Sequence, residues 1–376
     1  MAAEIFSAAT DALGPDGAWY LDMARVLRAK GLWSPDAFAG GYMPPLWPAV
    51  IAGLWSVTGE SLFTIRIFNL ATWVAILPFT YSLARSLIGR TGAWLAVLFF
   101  SLHDISHYAK FPQYEILLTF LCVSAVWAWL RGADEGLLWW FVLSGVLWAV
   151  AGLMQTRVLP VSLLLLTAVK VGKRSTTWSG PLICVAVAFS LLLPVAYRNW
   201  LVHGHFSATA ANFGVNLWIG NNPDATGFYM NPPESTTAPI SKTTDVYERD
   251  RLYAKKATTW IASNPGTFVF RLAPRKLYYL WRLDKPINWA LLPFAIAGAL
   301  GLWRLGHHRR VLALAYPILF VSLLHVVFFG DGRFRFWALP GVHIFAAFTV
   351  LRLVAGSSKH ALDVESIDAL TPHSTD

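Results

Sequence analysis

Three sets of polar side chains interrupt an otherwise apolar chain. In Gly14-Pro15-Asp16-Gly17-Ala18-Trp19-Tyr20, Asp16 and Tyr20 stand one helical turn apart at the head of a run that ends at Gly31. An Asp there either caps a helix, with Gly31 as the matching stop, or presents its carboxylate to a ligand. The second set is His103-Asp104-Ile105-Ser106-His107-Tyr108-Ala109-Lys110, followed by Phe111-Pro112-Gln113-Tyr114-Glu115. Polar groups between two apolar stretches usually line a cavity, and Asp104 is the cavity carboxylate here. His103 and His107 are spaced to share a helix face, which leaves a divalent metal open, but hydrogen-bonded or wetted histidines are commoner in such places, so no metal is assigned. The third set is basic: Arg66, Lys110, Arg157, Arg198, Arg333 and Arg335. Arg suits a phosphate because its planar fork donates two parallel hydrogen bonds; the alternative for each is a snorkelling side chain that anchors a helix end. Gly214 to Pro223 (GVNLWIGNNP) has Asn and Gly that suit either sugar hydroxyls or, on base rates, tight turns, and His203-Gly204-His205 needs no metal.

The elements that must position these groups are membrane helices. Of the 376 residues 56% are hydrophobic and 14% charged, against about 25% charged in an ordinary soluble domain. Nine stretches are long and apolar enough, or nearly so, to span a bilayer: near 65–84, 92–108, 112–130, 137–154, 158–171, 179–197, 289–304, 311–329 and 336–354. Aromatic residues gather near their ends, as at a membrane interface. The net charge of +9 is spread over short loops, which the positive-inside rule explains and a nucleic-acid face does not. Arg85, Arg90, Arg131, Lys170, Lys173, Arg174, Arg304, Arg309, Arg310, Arg352 and Lys359 then lie on the cytoplasmic side. Cys122 and Cys184 sit inside apolar runs and say little about redox compartment.

The expected organisation is a first external loop with juxtamembrane helices over 1–64, a transmembrane bundle over 65–197, a small external domain over 198–288, C-terminal transmembrane helices over 289–355, and a disordered cytoplasmic tail over 356–376. Nine spans with a cytoplasmic C-terminus place the N-terminus outside, which implies a tenth helix upstream of Met1. The alternative, Pro45 to Gly59 as a span, is disfavoured by its length and two prolines; it reads as a helix on the membrane surface. Asp245 to Ser263 has helical periodicity, broken at Asn264-Pro265-Gly266, and a basic helix over Phe268 to Leu283 follows.

Several of these segments occur in an order that resembles the GT-C glycosyltransferases, and more narrowly the protein O-mannosyltransferase and lipid A aminoarabinose transferase group. Asp16-x-x-x-Tyr20-x-x-x-Ala24 precedes Tyr42-Met43-Pro44-Pro45-Leu46-Trp47-Pro48; then come Arg66-Ile67-Phe68-Asn69, Tyr81-Ser82-Leu83-Ala84-Arg85, Tyr197-Arg198-Asn199-Trp200, Asn216 to Pro223, Asn264-Pro265-Gly266, Lys276, and Arg333-Phe334-Arg335 before Pro340. The resemblance implies an all-α polytopic GT-C-like protein that moves a sugar from a polyprenyl (undecaprenyl) phosphate to a hydroxyl or amine acceptor, with inversion. The matching position for the family's general base is Asp16, and Glu115 matches a carboxylate that faces the cavity at the start of a helix. Tyr20, Arg66, Lys110, Glu115, Arg157, Arg198, Arg333 and Arg335 form the expected donor-binding set, with Arg198 and Arg333 foremost. Many protein mannosyltransferases have Asp-Glu where this chain has Asp16-Gly17, which weakens protein O-mannosylation specifically.

No P-loop, dinucleotide-binding or zinc motif occurs, so the sugar would arrive attached to lipid, and no cofactor is implied. The expected partners are the lipid-linked sugar, a glycan, lipid or protein acceptor, and the bilayer, with no nucleic acid. The expected location is a multi-pass protein of the inner membrane with its site on the periplasmic face. A transporter or lipid flippase, or a non-catalytic partner in glycan assembly, is the alternative.

Overall fold

A computed structural model describes residue 13 and residues 16–169, 171, 177–208 and 210–357. The expected disordered tail beyond 357, the start of the chain, and Lys170, Lys173, Arg174 and Lys359 lie outside the described residues. The fold is helical, with no strand among the described residues.

Asp16 precedes α1 (Gly17–Lys30), which stops at Gly31, whose φ of 78° only glycine adopts without strain. The Pro45 to Gly59 stretch forms α2 (Leu46–Thr58), which turns Trp47, Ile51 and Trp55 inward and ends at Gly59, again at positive φ. The indole N–H of Trp47 donates to the Pro112 carbonyl at 2.9 Å and so pins α2 to the link that carries the second polar set.

The first two expected spans are the two arms of α3 (Leu62–Ser101), separate helical runs that meet at a kink. Ile88, at φ −131°, and Gly89, at φ 70° and ψ −175°, leave the helical region there and break the run between the arms. The second arm stops at Ser101, short of residue 108, and Asp104–Lys110 winds as a 3-10 turn. The central helix α4 (Glu115–Glu135) packs against α3 and α5 (Leu138–Met154). Gly145 lets α5 approach α7 (Ser179–Ser190), since a Cβ there would lie 2.5 Å from the Cys184 carbonyl oxygen.

The expected span at 158–171 is shorter than predicted. A 3-10 turn, Thr156–Val158, leads into α6 (Pro160–Thr167), only eight residues long. The 179–197 stretch divides into α7 and α8 (Leu193–His203), because Pro194 at the start of α8 supplies no N–H to continue the ladder.

The segment from 198 to 288 holds α9 (Phe213–Gly220), α10 (Glu234–Ser241), α11 (Val246–Ser263) and α12 (Ala273–Leu280). Leu217, Trp218, Tyr253 and Ala257 make a small core between α9 and α11, separate from the main one. Asp245 caps α11 by accepting from the Tyr247 and Glu248 N–H groups, a contact of about 1 kcal/mol. Asn264 ends α11, yet the chain does not break there; it continues through a π-helical turn, Thr267–Leu272, into α12.

The chain finishes with α13 (Pro286–Arg304), α14 (His308–Val327), a 3-10 turn over Gly332–Ala338, and α15 (Leu339–Ser357). Gly298 allows α13 against α15, because a Cβ there would meet the Phe345 oxygen at 1.9 Å. Among the described residues, six helical stretches are long and apolar enough to cross a membrane: Leu62–Ser101, Glu115–Glu135, Ser179–His203, Pro286–Arg304, His308–Val327 and Gly332–Ala355. The basic end of α14 meets the C-terminus of α4, with Arg310 paired to Asp134 at 2.7 Å and Arg309 donating to the Ala133 carbonyl. Asp16 and Glu115, from the first two polar sets, meet elsewhere, at Arg333.

Candidate active site

Asp16 occupies the N-cap position of α1, but its side chain makes no capping hydrogen bond. It reaches Arg333 instead, 2.5 Å from carboxylate Oδ2 to guanidinium Nη1. The helix forgoes about 1 kcal/mol of capping for an ion pair between residues at opposite ends of the chain. Gly17 has its own reason. A Cβ at that position would lie 2.8 Å from Pro112 Cγ, so the glycine seats the start of α1 on the link before α4. The residue that departs from the Asp-Glu pattern is therefore the one that brings Asp16 into place.

Arg333 is held on three sides. Its Nη1 is 3.4 Å from Glu115 Oε1, and its Nε is 3.3 Å from Asp331 Oδ2. Asp331 also caps the 3-10 turn by accepting from the Arg333 N–H, which fixes the backbone from which the guanidinium projects. Glu115 opens α4 and is buried, with Oε2 lacking any hydrogen-bond partner. Three carboxylates thus face one buried guanidinium, of which only Asp16 has a substantially exposed side chain, at 32%.

These groups border a cavity of about 840 Å³ between the helical bundle and the 198–288 segment. Asp16, Tyr20, Arg157 and Arg333 line it, and Glu115 lies just behind with Arg157 and Phe334. The Arg157 guanidinium lies 4.1 Å over the Phe334 ring. Tyr114 packs edge-on to Tyr20 and accepts a hydrogen bond from Gln155 Nε2 at 2.6 Å. Burial holds the Tyr114 phenol up to about 12 and lifts Tyr20 well above its ordinary value, so both stay protonated donors at neutral pH.

The other expected site residues lie apart. Arg66 donates to the Lys110 carbonyl at 3.0 Å, while the Lys110 ammonium sits over Phe111; neither lines the cavity. Arg198 is buried but clamps the loop after α1, donating to the Leu32 and Ser34 carbonyls at 3.1 and 2.7 Å. Arg335 donates to the Trp281 carbonyl and approaches His103, away from the cavity. The Asp104 side chain lies outside the described set. Among the described residues, no group of three or more His, Cys, Asp or Glu is arranged to hold a metal.

The cavity also contains residues the sequence reading did not assign: Tyr42, Tyr229, Arg249, Tyr253 and His325. Tyr42 stands in a quoted motif, and burial raises its hydroxyl to about 12. Arg249 and Tyr253 are four apart on α11, a spacing that puts both on one face. Asn216 reaches the cavity, whereas Asn221 and Asn222 turn inward to bond backbone carbonyls, as turn chemistry requires.

Residues 43–198 match the family model described as dolichyl-phosphate-mannose-protein mannosyltransferase. No curated protein sequence matches the chain. Among solved structures, the Archaeoglobus fulgidus oligosaccharyltransferase in its apo form is similar at a TM-score of 0.58 and 14% identity, covering 96% of this chain and 50% of that one. ArnT from Cupriavidus metallidurans in the apo state gives 0.54 and 16%, covering 95% and 57%. AglB from Archaeoglobus fulgidus, solved with an inhibitory peptide and a dolichol-phosphate, gives 0.52 and 13%, covering 94% and 49%. The chain thus spans about half the length of the structures it matches, and it shares their fold, the GT-C-like fold that its motif order implied.

Proposed function

We propose that this chain, built on the GT-C fold, is an inverting membrane glycosyltransferase that moves a sugar from a polyprenyl phosphate to a hydroxyl or amine acceptor on the outer face of the membrane. The observation that carries the reading is Asp16: a carboxylate at the rim of an 840 Å³ cavity, aimed by a buried arginine rather than spent on its own helix. Asp16 takes the proton of the acceptor as its oxygen or nitrogen attacks the anomeric carbon. That role requires a base within hydrogen-bond reach of the nucleophile and open to the cavity. Arg333 orients Asp16, and Glu115 and Asp331 fix Arg333 in turn.

The departing phosphate needs a cation not already neutralised. Arg333 faces three carboxylates, so the role falls to Arg157, whose guanidinium has no carboxylate within ion-pair range among the described residues and lies at the bundle side of the cavity. A polyprenyl chain stays in the bilayer, so its phosphate must arrive from that side. Tyr20 and Tyr114, protonated, donate to sugar hydroxyls or phosphate oxygens. The dolichol-phosphate in the AglB complex is in keeping with a lipid-phosphate donor. With 198–288 as an outer domain and the basic Arg309–Arg310 end in the cytoplasm, as the positive-inside rule favours, this reading has the cavity on the periplasmic side of an inner membrane.

Purified full chain in lipid nanodiscs, given radiolabelled undecaprenyl-phosphate sugars and a panel of membrane-lipid, glycan and protein acceptors, should transfer label to at least one. Folded protein that binds undecaprenyl phosphate yet transfers to none, and that moves the lipid between leaflets, would replace this reading with a flippase.

A further inference from the structure

The cavity has three arginines, and they differ in what occupies them. Arg333 is committed to Asp16, Glu115 and Asp331. Arg157 lies on Phe334 in the turn between α5 and α6, at the bundle side. Arg249 lines the same cavity from α11, in the outer segment, and its guanidinium makes no hydrogen bond or ion pair among the described residues. Its neighbour Asp250 does not neutralise it by contact, because that carboxylate is turned to the head of α9 and accepts from the Val215 N–H at 3.0 Å. Around Arg249 stand Tyr253 on the same helix face, and Tyr42, which lies within charge range of both Arg249 and Asp16. Asn216 and Ser241 complete that wall.

We infer that Arg249 is an anion subsite for the acceptor: the molecule that receives the sugar carries a phosphate or carboxylate, which Arg249 holds while its nucleophile sits at Asp16. The inference rests on the proposed glycosyl transfer and adds a substrate class to it. Arg249 is only half-buried and has no protein partner among the described residues, so its planar fork stays free to hold an anion supplied by a ligand. The donor phosphate is not that anion. Its lipid tail confines it to the bundle side, where Arg157 is, whereas Arg249 belongs to the segment that an acceptor arriving from outside meets first. Tyr42 lies between the two charges and can donate to the same anion.

The test measures equilibrium binding to full-length protein in nanodiscs, with no turnover. One probe is undecaprenyl phosphate. The other is inorganic phosphate added once the lipid site is filled, read by isothermal titration calorimetry. Wild type should bind both. Arg249→Gln should weaken the inorganic phosphate event by about tenfold or more, the size of a lost charge-assisted contact, and leave undecaprenyl phosphate within about threefold. Arg157→Gln should do the reverse, and Arg249→Lys should restore part of the phosphate binding. The assignment is overturned if Arg249→Gln, shown folded by its melting curve, leaves inorganic phosphate binding unchanged, or if it weakens undecaprenyl phosphate instead. Protein that shows both binding events but transfers no sugar counts against the enzyme and leaves the anion subsite standing.

Discussion

Replacing Asp16 with Asn separates catalysis from structure more cleanly than any other single change in this site. The amide keeps the shape and removes the negative charge, so the cost in stability is the Asp16 to Arg333 ion pair. That pair is short, but the Asp16 side chain is 32% exposed and Arg333 keeps Glu115 and Asp331. A solvent-screened pair of this kind contributes about 1 kcal/mol or less, and no capping bond is lost because Asp16 makes none. The cost in rate is of another order. A positioned general base supplies about 100- to 10,000-fold, which is about 2.7 to 5.4 kcal/mol of transition-state energy at 1.36 kcal/mol per decade. Asp16→Asn should therefore melt within a few degrees of wild type, bind undecaprenyl phosphate unchanged, and lose at least 99% of single-turnover transfer, a loss predicted by the general-base factor. Raising pH should not rescue it, since no other carboxylate in the cluster is open to the acceptor. Retention of more than about a tenth of wild-type transfer, an order of magnitude above that limit, would refute Asp16 as the base and make its pairing with Arg333 structural.

Arg333→Gln should do the opposite, because it strands the buried Glu115; removing one partner of a buried pair costs about 3 to 5 kcal/mol, and Glu115→Gln in the same chain should recover part of it in thermal unfolding. Lys276 on α12 is wholly buried, with Nζ donating to Asn221 Oδ1 at 2.7 Å and to the Val326 and Val327 carbonyls at 3.1 Å, and burial lowers it to about 7. Between that value and the ordinary lysine range the unfolded chain binds the extra proton, so stability should rise with pH from about 7 upward, by at most about 1.4 kcal/mol per unit for this group. Lys276→Met should flatten that part of a melting-temperature profile against pH, and a profile unchanged by the substitution would contradict the burial argument. Gly214→Ala should push α9 off α11, since its Cβ would lie 1.9 Å from the Asp250 carbonyl oxygen; overpacking of this sort costs about 1 to 3 kcal/mol and should weaken ligand binding at the outer wall before it unfolds the bundle.

Apolar periodicity made the helices readable in the sequence, because a helix in lipid has to satisfy its own backbone and so announces itself by composition. The differences lie where one residue overrides composition. Pro194 divides one expected span into two helices, and the 158–171 stretch forms only eight residues of α-helix behind Pro160. The site was readable to a lesser depth. Its ingredients, Asp16, Glu115, Arg157 and Arg333, are visible as polar groups in apolar surroundings, which are expensive to keep without a function. Their pairing is not visible, since local spacing offers Asp16 its own helix as a partner, and only the fold sets Arg333 beside it at 2.5 Å.

The basic residues show the same limit from the other side. Arg66, Arg157, Arg198, Arg333 and Arg335 all stand at the outer ends of apolar stretches, and charge and position alone rank them nearly alike. What separates them is the acceptor each guanidinium meets. Carbonyls of a neighbouring loop hold Arg66, Arg198 and Arg335, and carboxylates hold Arg333. Arg157 meets no carboxylate and only the Tyr114 hydroxyl, Arg249 meets no protein acceptor among the described residues, and Arg249 was concealed in the sequence because on an amphipathic helix it looks like any solvated charge. Absence of a carboxylate partner beside an open cavity is what singles out these two arginines as the proposed substrate-binding cations. On that proposal they serve donor and acceptor separately, and exchanging their charges for amides one at a time should divide donor from acceptor recognition.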